Sequence, residues 1–166
     1  VQISTRVAPR VNVTLGGRFD DFAYLSASRL SPRAAASVQL SPRLSWRASY
    51  GTYYQQPFFQ FVAAFPENRR LVPFRADHYV TGLAWQPGEG RRVTLEAYRK
   101  TYKDYPVATD FPSLSLANVG DTFNVREILF PLASAGRGTA TGIELFVEQR
   151  LVKRIYGQAN LAVSRT

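Results

Sequence analysis

Along residues 44 to 59, LSWRASYGTYYQQPFF, large apolar and small polar residues alternate before giving way to a run of aromatics. One set of positions holds Leu44, Trp46, Ala48, Tyr50 and Thr52, and the other holds Ser45, Arg47, Ser49, Gly51 and Tyr53. A period of two predicts a strand with one oily and one wet face. The design recurs along the chain. PRVNVTLGGRFDDF sets Val11, Val13, Leu15, Gly17 and Phe19 against Arg10, Asn12, Thr14, Gly16 and Arg18, and RAAASVQL sets Ala34, Ala36, Val38 and Leu40 against Ala35, Ser37 and Gln39. HYVTGLAWQ places Tyr79, Thr81, Leu83 and Trp85 opposite His78, Val80, Gly82 and Ala84. VTLEAYRKTY repeats the pattern until its apolar face fails near Arg99, and TGIELFVEQ and IYGQANLAVS complete the series.

The connections between these strands alternate in length. They are short near Pro9, Pro42, Pro87 and Lys153, and long near residues 20 to 33, 54 to 75 and 103 to 138. In an up-and-down antiparallel sheet, alternate connections share an edge, so the short turns are expected at one end and the long loops at the other. The rings sort the same way. Phe19, Phe22, Tyr24, Tyr50, Tyr53, Tyr54, Tyr102 and Tyr105 fall toward the long loops, and Trp46, Trp85 and Tyr156 toward the short turns. Two aromatic belts flanking a band of Val, Leu, Ala and Ile predict a sheet that spans a membrane. Trp46, Tyr50, Tyr79 and Trp85 are the candidate interface aromatics, and Arg47, Glu96, Glu144 and Glu148 are the candidate lumen-facing polar residues.

No stretch reaches the roughly 18 to 20 consecutive apolar residues of a membrane helix, whereas a barrel strand needs only about 9 to 11 alternating residues. The predicted architecture is therefore all-β: one antiparallel up-and-down transmembrane barrel domain over residues 1–166, with about seven to eight strands, short periplasmic turns and long extracellular loops. Both ends of the chain run into alternating segments, so it is expected to be a portion of a larger barrel. Two rivals share the strand pattern: a complete small outer-membrane barrel of eight strands with a structural or adhesion role, and a soluble barrel carrying an apolar ligand. The first requires pairing between the first and last strands. The second requires the apolar face inward.

Composition narrows the chemistry. There is no cysteine and one histidine, which removes disulfides, thiolate sites and most metal clusters. The net charge of +9 is compatible with anionic partners, but Lys and Arg are spread over both ends of the strands and not gathered with stacking rings on one face, which argues against nucleic acid. Glu144 and Glu148 lie four residues apart on a strand, about 13 to 14 Å, too far for a glycosidase pair. Asp77 and His78 lack a nucleophile elbow, and GRGTATG lacks the ending and helix of a phosphate loop. Asn12-Val13-Thr14 is a mid-strand chance sequon. Asp104, Asp110 and Asp121 are loosely spaced carboxylates without calcium-loop spacing. No catalytic residue, cofactor or resident metal is expected.

The strongest ligand candidates lie in and beside the loop 54 to 75: Tyr53, Tyr54, Gln55, Gln56, Phe58, Phe59, Phe61, Asn68, Arg69, Arg70, Arg75 and His78. Rings grip a ligand and guanidinium forks take anionic groups. The same arginines also suit the phosphates of outer-membrane lipid and lipopolysaccharide.

The run LSPRAAASVQLSPRLSWRASYGTYYQQPFF (residues 30 to 59) resembles the strand, turn and strand of TonB-dependent outer-membrane receptors. RADHYVTGLAWQ (75 to 86) is similar to the next descending strand, and GRGTATGIELFVEQRL (136 to 151) to the family's G-x-A-x-G-I-E strand. The resemblance implies a middle portion of a 22-stranded, plugged barrel. It further implies a receptor that binds a scarce ligand, such as a metal chelate, vitamin or oligomeric nutrient, and imports it with energy from an inner-membrane coupling protein. The plug through which that protein would act has no counterpart in this sequence.

Overall fold

The computed structural model describes residues 1–111, 131–152 and 154–166. Eight antiparallel strands form one sheet in sequence order: β1 (Gln2–Ala8), β2 (Val11–Phe22), β3 (Ala27–Ser41), β4 (Leu44–Gln55), β5 (Phe74–Trp85), β6 (Arg91–Ala108), β7 (Leu132–Val152) and β8 (Ile155–Arg165). Each strand pairs only with its neighbours in sequence, as hairpin connections dictate. The sheet is open, with β1 and β8 at opposite edges, so the pairing that a complete eight-stranded barrel needs is not made.

Register turns the alternation of each strand into continuous rows. Val11, Val38, Trp46, Leu83, Leu95, Leu145 and Leu161 pair successively from β2 to β8 and form one apolar row. Beside it, on the other face, Asn12, Ser37, Arg47, Gly82, Glu96 and Glu144 form a polar row. A slip of one residue would carry a strand's whole apolar set to the wrong face. Leu15, Phe19, Leu30, Ile143 and Leu161 are each more than half exposed, so nothing among the described residues covers the apolar face.

The polar face is the concave one. A shallow depression of about 220 Å³ is lined there by Asn12, Thr14, Ser37, Arg47, Ser49 and Glu96. A soluble carrier would curl the opposite way, with its apolar residues inside. The apolar band reaches Phe19 and Leu30 on β2 and β3, yet stops at Ala97 and Ile143 on β6 and β7. It therefore crosses the rows obliquely, as strands tilted through a membrane require.

The short turns follow from local chemistry. Pro42 and Arg43 alone separate β3 from β4, and register shifts beside the turns at Ala8, Ser41 and Val152 absorb the reversal. Gly90 closes the β5–β6 turn at φ +65°, where a side chain would be strained.

The long-loop end differs from the sequence expectation in two places. The stretch 20 to 33 is mostly strand: β2 and β3 continue to a tight connection containing a 3-10 helix, Ala23–Leu25. The irregular stretch 103 to 138 begins and ends as strand too, because β6 runs to Ala108 and β7 starts at Leu132. With 18 and 21 residues, β6 and β7 exceed the membrane requirement and carry the sheet well beyond it on that side. Once clear of hydrocarbon, a strand no longer needs an apolar face, so the failure of alternation at Arg99 marks the membrane boundary and not the strand's end. The belts are corrected likewise: Phe22, Tyr53 and Tyr102 fall on the polar face by register.

An Arg placed on the apolar row in mid-membrane costs roughly 2–4 kcal/mol, while a lumen substitution costs far less. In the full-length protein, Leu95→Arg is expected to lower the urea midpoint of the folded barrel in liposomes, with Ser49→Arg close to wild type. Equal effects of the two substitutions would contradict the assignment of faces.

Candidate functional site

Above the membrane band, the β2–β3 and β4–β5 connections pack against each other and against the ends of β6 and β7. Val62, Leu71, Ala108 and Leu132 form a buried cluster, with Leu25 and Phe61 against it. Val62 belongs to a short helix, α1 (Phe59–Ala64), which is followed by a 3-10 turn, Pro66–Arg70. Asn68, fully buried, ties the cap together. Its amide Nδ2 donates to the Phe61 carbonyl at 2.7 Å, and its Oδ1 accepts from the Leu132 N–H at 2.7 Å. The Val72 N–H donates to Ser134 Oγ at 3.0 Å, a second link between this loop and β7. Asn68, expected as a ligand group, is thus committed to structure.

Below this cap, on the concave face, one row reads Arg33, Gly51, His78, Lys100 and Ala140 across β3 to β7. Tyr53 folds down over Gly51, where an added Cβ would meet its hydroxyl at 2.8 Å. Its ring lies between Arg33, whose guanidinium carbon is 4.8 Å from the ring centroid, and the His78 imidazole at 4.7 Å. Tyr98 lies the same way over Gly142, with Lys100 Nζ 4.9 Å from its centroid. The outcome is a wall of alternating cations and rings, with cation–π attraction fixing side chains that would otherwise be floppy. Higher up, Tyr105 stacks with Phe74 at 4.5 Å and meets Tyr102 edge-on, and burial raises its phenol above the ordinary tyrosine value, so it stays a neutral donor.

The sequence candidates divide between locations. Tyr53 and His78 are in this wall. Gln55, the last residue of β4, is exposed, as are Gln56, Phe58, Phe59, Arg69 and Arg70 of the β4–β5 connection, with Phe59 edge-on to Tyr24 at 5.0 Å. Tyr54 is partly buried, with the Arg29 guanidinium 5.8 Å from its ring. Arg75 lies on the outer face, where its Nε and Nη2 donate to Asp77 Oδ1 at 2.9 and 2.8 Å; Thr52 Oγ1 donates to the same oxygen at 2.7 Å. That network separates Asp77 from His78, which points to the other face. Tyr50 and Tyr79 stack at 5.0 Å on the apolar side, and Trp46 Nε1 donates to Thr81 Oγ1 at 2.9 Å there, beside Trp85. Arg47, Glu96, Glu144 and Glu148 share the concave face. Asp121 and Lys153 lie outside the described residues.

Arg33, Tyr98 and Lys100 were not singled out from the sequence. The available signal was parity: each sits on the wet set of its strand, but only register shows that they converge.

An open antiparallel sheet with an uncovered apolar outer band, a polar concave face and long connections gathered at one end is a segment of an outer-membrane β-barrel. The family profile described as "TonB dependent receptor-like, beta-barrel" matches residues 1–164, and the chain belongs to that family of receptors. Among solved structures, the siderophore receptor PirA from Pseudomonas aeruginosa is similar with a TM-score of 0.74 at 17% identity, over 98% of this chain and 30% of its own. A chain of the FpvAI-pyocin S2 complex matches with a TM-score of 0.67 at 15% identity, over 98% of this chain and 22% of its own. The chain therefore spans less than a third of either of these two structures. No curated protein sequence matches it.

Removing Asn68 leaves the Leu132 N–H and Phe61 carbonyl without this partner, at roughly 1–3 kcal/mol. Asn68→Ala is expected to raise protease cleavage between residues 56 and 73 by tenfold or more, with the strands below staying protected. Unchanged cleavage would show that the cap does not depend on this amide.

Proposed function

We propose that the protein carrying this segment is a receptor and transporter, not an enzyme, that captures an anionic metal chelate of the siderophore type at the outer surface. The observation that carries this reading is the wall formed by Arg33, Tyr53, His78, Tyr98 and Lys100 on the concave face beneath the loop cap. Guanidinium and ammonium groups attract carboxylate or phenolate oxygens, while rings cover the flat organic portions of a chelate. The exposed Phe58, Phe59, Arg69 and Arg70 of the β4–β5 connection would make the first encounter from outside. The similarity to siderophore receptors supports the same class of cargo. Energy for release into the cell would come from an inner-membrane coupling protein acting through a plug.

The test is uptake of labelled ferric chelates by cells bearing or lacking the intact gene, with and without the coupling protein. Uptake that needs both, and that falls at least tenfold with Arg33→Ala or Tyr53→Ala, is expected; a loss through KM with maximal rate nearly intact would locate the change in binding. Chelate uptake indifferent to the gene would remove the proposal.

A further inference from the structure

We infer that the short-turn end of the sheet is a docking surface for a polymer with regularly repeated carboxylates, the glycan-peptide wall that lies beneath the outer membrane. Each of the four short turns presents an arginine: Arg10 between β1 and β2, Arg43 between β3 and β4, Arg91 at the exit of the β5–β6 turn, and Arg154 between β7 and β8. All four are exposed, and among the described residues none has an ion-pair partner. Successive short turns of an up-and-down sheet are two strands apart, about 10 Å, so the four arginines form a row about 30 Å long.

The row is built to keep its spacing. The Arg10 carbonyl accepts from the Gln39 N–H at 2.8 Å, the Arg43 carbonyl from the Gln86 N–H at 2.8 Å, and the Gly90 carbonyl from the Arg150 N–H at 2.7 Å, so each turn is bonded to the hairpin that follows it. Two of the side chains are steered as well. Arg91 Nε donates to Gln149 Oε1 at 2.9 Å, and Arg43 Nη1 donates to the Pro87 carbonyl at 3.4 Å. Each guanidinium carries five N–H donors, so these bonds fix its direction and leave donors for a partner. An array held in place loses little freedom on binding, and its individually weak contacts act together.

Charge and direction select the partner. Arg6 and Arg92 stand on the concave side by register with Asn12 and Glu148, and Glu148 is reached by Arg150 at 3.6 Å. Glu89 in the β5–β6 turn is the exposed acid at this end, against the arginine of every turn. The apolar band with Trp46 and Trp85 lies on the other face, so lipid does not reach Arg6 and Arg92. A partner that engages the turn tips and the concave side together comes from water, and the short turns of an outer-membrane barrel face the periplasm. A guanidinium fork pairs with a carboxylate through two parallel hydrogen bonds, and cations at a fixed pitch suit a chain that repeats its carboxylates. The peptide stems of the wall supply such carboxylates.

The test is sedimentation of the full-length receptor, in nonionic detergent, with purified protein-free wall sacculi. Wild type is expected to pellet with the sacculi, and the variant carrying Arg10→Gln, Arg43→Gln, Arg91→Gln and Arg154→Gln to bind at least tenfold more weakly. Each single substitution should lower affinity roughly two- to fivefold, as for contacts that share one partner. Sacculi whose carboxylates have been amidated should bind wild type no better than they bind the variant. Equal sedimentation of wild type and the fourfold variant overturns the inference, as does undiminished binding of wild type to amidated sacculi. Loss of bound phosphatidylglycerol in the variant, with binding to sacculi unchanged, also overturns it and assigns the row to inner-leaflet headgroups. Heat-modifiable migration checks that each variant is folded, and the single substitutions carry the test if the fourfold variant is not.

Discussion

Every backbone N–H and C=O that enters hydrocarbon must find a partner within the protein, because lipid offers none and each unpaired group costs several kcal/mol. The seven ladders of this sheet meet that demand for its interior strands. They also explain why the chain is so regular in the middle and so irregular at one end. Within the membrane, bulges and loops would leave groups unpaired, and the irregularities seen there sit beside the short turns. Beyond it, water satisfies the backbone, and the chain is free to make the helix α1, the 3-10 turns and the bulge at Asp104. The outermost strands, β1 and β8, each keep one unpaired side among the described residues.

Two solvents act on the two faces of the same strands, so each residue's parity assigns it to one or the other. This explains how neighbours as close as Asp77 and His78 can serve unrelated purposes. Asp77 turns outward into a network with Arg75 and Thr52, and His78 turns inward against Tyr53.

Much of this was legible in the sequence for a physical reason: a half-lipid, half-aqueous sheet imposes alternation so strictly that the strands, their faces and the alternating turn lengths can be read directly. Trp46, Leu83 and Leu95 announce one face, and Arg47 and Glu96 the other. What could not be read was anything that depends on register between strands or on the region beyond the membrane. Arg33, His78 and Lys100 are more than twenty residues apart in sequence, and only pairing aligns them in a row. The continuation of β6 past Arg99 was hidden because the rule used to recognise strands lapses where lipid ends. Asn68 looked like a ligand group because its amide is polar, and nothing local indicated that it is fully enclosed.

The glycines under the rings have a geometric effect on the relief of the polar face. At Gly51 and Gly142 the absence of a side chain lets Tyr53 and Tyr98 lie flat along the wall. Were those positions alanine or larger, the rings would have to stand up toward the barrel axis. The lining would then consist of projecting posts and not of panels. By lying down, the tyrosines present their faces across the polar side of the sheet while keeping its relief low, so that the ring area on offer and the room above it are set independently of one another.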